Sequence, residues 1–157
     1  MSSGKLARTQ GLFFEEFIIG DQTESVGRTV TEADVVNFAG ISGDFHELHT
    51  NAELMAASPY GQRIAHGPLI LSVVVGLRGR LGIFDGTLIA FAEIRSWRFA
   101  APVFIGDTIH AVNEIIELRG TSKPDRGIMV QKVDVLNQHG QIVQTGEMVN
   151  MCKRPKP

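Results

Sequence analysis

The chain has 157 residues, 43% apolar and 20% charged, with a formal net charge of −2. That length suits one domain with its own core, and the charge excludes the basic field that nucleic acid requires. The single cysteine, Cys152, excludes an intrachain disulfide or a cysteine metal cluster and suits a reducing, cytoplasmic compartment.

Residues 1–11 read as a loose lead-in, with no apolar core of signal-peptide length. Phe13, Phe14 and Phe17 to Ile19 are too aromatic for a free tail and are expected to dock on the core. Val26 to Val30 reads as a short strand. Thr31-Glu32-Ala33-Asp34 fits a capping box, and Val35, Phe38 and Ala39 keep the rhythm of a buried helical face until Gly40 and Gly43 end it. Thr50-Asn51-Ala52-Glu53 is a second capping box, opening a helix that stops before Pro59. Pro68 suits the first position of a helix running to about Leu81, apolar nearly all round and therefore expected to be buried on every face. Gly76 and Gly79 would admit a closely packed strand. The most apolar run, Pro68 to Leu77, is too short to span a bilayer. Four strands follow: Thr87 to Phe99, His110 to Leu118, Gly127 to Leu136 and Gln141 to Met151. Helices first and strands after give an α+β pattern, with the sheet expected to wrap the apolar helix. The expected organisation is a lead-in over 1–24, one domain over 25–152 and a tail over 153–157.

Between the first two helices lies Ile41-Ser42-Gly43-Asp44-Phe45-His46-Glu47-Leu48-His49. A short loop held by capped helices can aim Asp44 and His49 at one water, and acid–base chemistry of that kind is worth ~10²–10⁴ in rate. The nonapeptide alone leaves open a solvated turn, with Asp44 capping backbone N–H groups and His49 incidental. His46 and His66 read as structural, His66 as a side chain that fixes the loop. None of the five histidines shows metal-ligand spacing such as His-Glu-x-x-His.

Four collinear patterns carry a resemblance: Ser42-Gly43-Asp44 with His49, His66-Gly67-Pro68, Arg98-Phe99-Ala100-Ala101-Pro102-Val103-Phe104 with Gly106-Asp107, and Thr145-Gly146-Glu147. Together, over roughly Val26 to Met151, they resemble the MaoC-like, (R)-specific enoyl-CoA hydratases. The resemblance implies a hot-dog fold, a long helix wrapped by an antiparallel sheet, paired into a homodimer or dimer of dimers. It implies hydration of 2-enoyl-CoA thioesters to (R)-3-hydroxyacyl-CoA, or the reverse, with no metal or redox cofactor and coenzyme A entering only as part of the substrate. It assigns Asp44 and His49 as the acid–base pair and the Gly67 backbone N–H as donor to the thioester carbonyl. The family pattern has Asn and Pro where this chain has His46 and Glu47, a departure that bears on pH optimum and substrate preference. Arg78, Arg80, Arg95, Arg98, Arg119, Arg126 and Lys132 are the candidates for contacts to coenzyme A phosphates. A hot-dog thioesterase and a non-catalytic acyl-thioester-binding subunit are the alternatives, since one fold hosts several activities.

Overall fold

A computed structural model describes residues 10–155. Nine positions of the expected lead-in lie outside the described residues; from Gly11 the backbone is engaged, with Gly11 and Leu12 donating to the carbonyls of Asp85 and Ile83. A short 3-10 turn follows over Phe14–Glu16. Phe17 docks as expected, but Ile18 and Ile19 are exposed.

Five strands form one antiparallel path, with a sixth beside it. Strands β1 (Gln22–Glu24) and β2 (Arg28–Thr29) both pair with β4 (Thr108–Gly120); β4 pairs with β5 (Arg126–Leu136), β5 with β6 (Ile142–Lys153), and β6 with β3 (Leu88–Phe99). The four long strands match their sequence signals closely. The expected strand at Val26 to Val30 shrinks to two paired residues, because only Arg28 and Thr29 meet the start of β4. Strand β1 carried no apolar alternation, since its pattern is Gln-Thr-Glu, and only its pairing with β4 makes it a strand.

Helix α1 (Glu32–Ser42) opens on the Thr31–Asp34 capping box, both reciprocal bonds being present. Gly40 does not end it; Gly43 does, at φ +75°, the left-handed conformation that glycine adopts without a steric penalty. The second expected capping box does not form. Asn51, not Thr50, caps α3 (Ala52–Ala56), accepting from Leu54 N–H, while Thr50 donates back to Phe45 and His46 carbonyls. Thr50 is engaged because an extra one-turn helix, α2 (Glu47–Thr50), precedes it.

Helix α4 (Gly67–Gly79) packs into the concave face of the sheet, which gives the hot-dog arrangement. Leu69, Ile70, Val73, Val74 and Leu77 meet Ile109, Ala111, Val133, Val135, Val143 and Met148 in one core. Each of these Val, Leu, Ile and Met side chains stabilises the fold by roughly 1.5–3 kcal/mol relative to exposure. The helix is not buried all round. Ser72, Val75 and Gly76 are exposed, and a Cβ added at Gly76 or Gly79 would meet no neighbouring element within 4 Å, so the expected close-packed strand is absent there. A thirteen-residue rod cannot be enclosed by one sheet that curls around only part of it. The turn from β5 to β6 is closed by Asn137, whose side-chain oxygen accepts from His139 and Gln141 N–H groups.

Candidate active site

The site starts from the stop of α1. Beyond Gly43 the chain turns sharply: Asp44 N–H donates to Ser42 Oγ at 3.1 Å, and His46 N–H donates to Asp44 Oδ1 at 3.2 Å. The second carboxylate oxygen is left facing α2. His46 caps that helix, its Nδ1 accepting from Leu48 N–H, so the residue that departs from the family pattern has a local structural role.

His49 lies one turn on and is buried. Its Nδ1 is 2.8 Å from the Ile64 carbonyl, which only accepts, so the proton of the neutral ring sits on Nδ1 and Nε2 carries the free lone pair. Nε2 stands 3.9 Å from Asp44 Oδ2. Burial holds the imidazole below its ordinary value; its proximity to two other histidines, His66 and His46, adds to this, while the Ile64 bond and the Asp44 carboxylate oppose it.

His66, 1% exposed, completes the cluster. Its Nε2 donates to the Asp44 carbonyl at 2.9 Å, its ring stacks on His49 with centroids 3.7 Å apart, and Phe38 covers it at 5.1 Å. It thus fixes both the loop and the plane of the His49 ring. Asp44, His49 and His66 bring three potential metal-binding atoms within 4.8 Å of one another. The two rings are stacked at 27°, with centroids 3.7 Å apart.

Beside His49 begins α4. Gly67 N–H and Leu69 N–H, in its first turn, have no acceptor within the helix, and the dipole adds positive potential. Gly67 and His49 line one cleft of about 330 Å³ with Ile64, Ile70, Phe99 and Val103 as apolar walls. A Cβ on Gly67 would stand 2.7 Å from the Phe99 ring, so glycine keeps this approach open. Of the residues the sequence singled out, His49 and Gly67 line one cleft; Asp44 does not line it and reaches the site only through His49, 3.9 Å from its Nε2. The sequence reading missed Tyr60 and Gln144 on the cleft wall. Gln144 lies in a strand where both neighbouring faces are buried, so no alternation marked it; Tyr60 lies in a turn with no regular element.

Among the expected coenzyme A contacts, Arg78 is buried under the Phe84 ring, away from the cleft. Arg126 pairs with Asp125, Lys132 with Asp134, and Arg95 with Glu93 and Glu117. Cys152 is fully buried, and burial pushes its thiol up to about 11, which removes it as a nucleophile.

The family model for the MaoC like domain matches residues 15–137. The chain belongs to the MaoC-like domain family. Among curated relatives, "Protein MaoC" of Klebsiella aerogenes is 40% identical over 62% of this MaoC-like chain, though the match spans 28% of that longer protein. The (R)-specific enoyl-CoA hydratase of Aeromonas caviae is 32% identical over 74% of this chain and 82% of its own length. The crystal structure of a MaoC-like dehydratase from Rhodospirillum rubrum superposes with a TM-score of 0.82 at 26% identity, covering 94% of this chain and all of that one. Relatives of this MaoC-like chain are therefore named as hydratases and dehydratases. No helix among the described residues is long and apolar enough to cross a membrane.

Proposed function

We propose that this protein is a hydro-lyase that adds water across the double bond of a 2-enoyl-CoA thioester to give an (R)-3-hydroxyacyl-CoA, or removes it in reverse. One observation carries the reading: His49, its Nε2 lone pair free and Asp44 Oδ2 3.9 Å from it, lines the same cleft as Gly67 at the N-terminus of α4. A water about 2.8 Å from each group fits off the line between them. In the proposed cycle His49 Nε2 takes a proton from that water as its oxygen bonds to C3. The C2=C3 π electrons move toward the thioester, and charge builds on the carbonyl oxygen. Gly67 N–H donates to that oxygen, a contact worth on the order of 3 kcal/mol in comparable sites. The imidazolium, balanced by Asp44, then returns the proton to C2. No metal or redox cofactor enters this scheme, and coenzyme A takes part only as the carrier of the acyl group.

The working unit is proposed to be a homodimer. Among the described residues strand β3 pairs only with β6, and it exposes Leu88, Ile89, Phe91 and Ile94 along a twelve-residue edge. An edge that long and apolar calls for a partner strand, and a second copy supplies one. A reducing cytoplasm suits the unpaired Cys152.

The test is purified protein with a panel of enoyl thioesters, followed by loss of the conjugated-bond absorbance. Crotonyl-CoA is expected to be hydrated, and Asp44→Asn and His49→Ala are each expected to lower kcat at least ~10³-fold with unchanged circular dichroism. Full activity in either variant refutes the assigned pair. Release of free thiol with the double bond intact would instead identify a thioesterase.

A further inference from the structure

Strand β3 carries a defect that the acid–base pair does not require. Arg95 faces Glu147 and Arg98 faces Thr145, so β3 holds one residue more than β6 across that span. Ser96 absorbs the extra residue at φ 51°, the sole positive φ outside glycine among the described residues. A bulge of this kind re-aims the side chain that follows it. Trp97 here lies across β6 at Gly146, where a Cβ would stand 2.6 Å from Trp97 Cε3, so glycine is needed for the ring to lie there.

From that position the Trp97 indole N–H donates to Gln144 Oε1 at 3.0 Å. Gln144 Nε2 in turn donates to the Gly67 carbonyl at 3.0 Å. Each link has one polarity only, because an indole donates and a carbonyl accepts; flipping the amide would lose both bonds. Gln144 is 2% exposed, so its amide is largely shielded from solvent. Helix α4 needs such a tether. His66 makes no side-chain cap, first turns fray, and a glycine at the start adds backbone freedom.

We infer that Gln144, held by Trp97, is a positioning residue for the Gly67 N–H, through which the sheet sets the direction of the carbonyl-binding end of α4. The inference rests on the proposed Gly67 contact to the thioester carbonyl. Neither side chain exchanges a proton with substrate.

Gln144→Leu keeps the size of the side chain and removes both bonds. It is expected to lower kcat for crotonyl-CoA on the order of 10²-fold with KM little changed, since ~1 Å of misplacement at a reacting centre costs that much. Trp97→Phe keeps an aromatic ring, drops the indole N–H and frees the amide to rotate, for a loss of about tenfold. A second readout is the carbonyl stretch of bound butyryl-CoA labelled with carbon-13 at C1, a saturated thioester that cannot be hydrated. On the wild-type protein the band is expected to shift to lower frequency; in both variants the shift shrinks. A merely structural role would not move it. Hydration absent but a Gln144-dependent shift present would remove the hydratase reading and keep the relay. Unchanged kcat and shift in both variants, or no shift on the wild type, overturns the relay. If Gln144→Leu fails to fold, Trp97→Phe decides by the same two measurements.

Discussion

At the N-terminal end of α4, His49 and His66 are buried beside a cleft, and the lone pair of His49 opens toward Asp44. At the C-terminal end Arg78 is buried as deeply, but under the Phe84 ring and against neutral acceptors. Its Nη1 reaches Met148 Sδ at 2.6 Å, Nη2 reaches Gln131 Oε1, and Nε has no partner. Burial alone brings its guanidinium down to about 10, so it keeps its charge at neutral pH with no carboxylate to balance it. Both ends thus enclose polar groups that a core would rather exclude. Access separates them: at one end His49 lines the cleft with Asp44 3.9 Å from its Nε2, and at the other a charge is sealed in. A buried titratable residue marks a site only when something can reach it.

Two substitutions should therefore have opposite signatures. Gly67→Ala places a Cβ against the Phe99 ring, and Phe99 is 58% exposed, so the ring can swing aside. Stability is expected to change by no more than ~0.5 kcal/mol, while kcat/KM falls about 10- to 10²-fold as the methyl and the displaced ring crowd the carbonyl donor. Arg78→Met removes the uncompensated charge and refills its volume. Urea denaturation is expected to show a change between neutral and a gain of ~3 kcal/mol, with kcat/KM as in the wild type. A large loss of stability in the first variant, or of activity in the second, would erase the distinction between the ends.

This contrast was half legible in the sequence. The capping box at Thr31, the turn at Gly43 and the proline behind Gly67 are local signals, written in adjacent residues, and they locate Asp44, His49 and the start of α4. The strands were legible because β-branched runs broken by glycine leave few other choices. What could not be read depends on distant partners. Arg78 looked like one more exposed candidate for phosphate, because its burial is decided by Gln131 and Met148, more than fifty positions away. Gln144 joins Gly67 across seventy-seven positions, and nothing in either neighbourhood announces it. The unburied face of α4 was misread for the same reason, since apolar composition says what a helix prefers to bury and not how far the sheet extends around it.

The smallest expected effect lies in pH. His49 sits below its ordinary value chiefly because burial opposes its charge. With an unfolded value of about 6.5, the unfolded chain binds more protons than the folded one between the two values. The stability that His49 contributes is therefore complete above about 6.5 and is lost as pH falls through the folded value. The acidic limb of kcat/KM should accordingly break below about 6.5, because the ring must be neutral to accept the proton of water. Asp44→Asn removes a carboxylate that favours the imidazolium, so the His49 titration followed by NMR should move lower still. Arg78, charged throughout this range, should leave the C-terminal end unaffected, so the whole pH response belongs to the N-terminal end. A limb above 6.5 would mean that burial does not dominate at His49, and a His49 midpoint that rises in Asp44→Asn would mean that the two side chains do not face each other as the 3.9 Å approach has them.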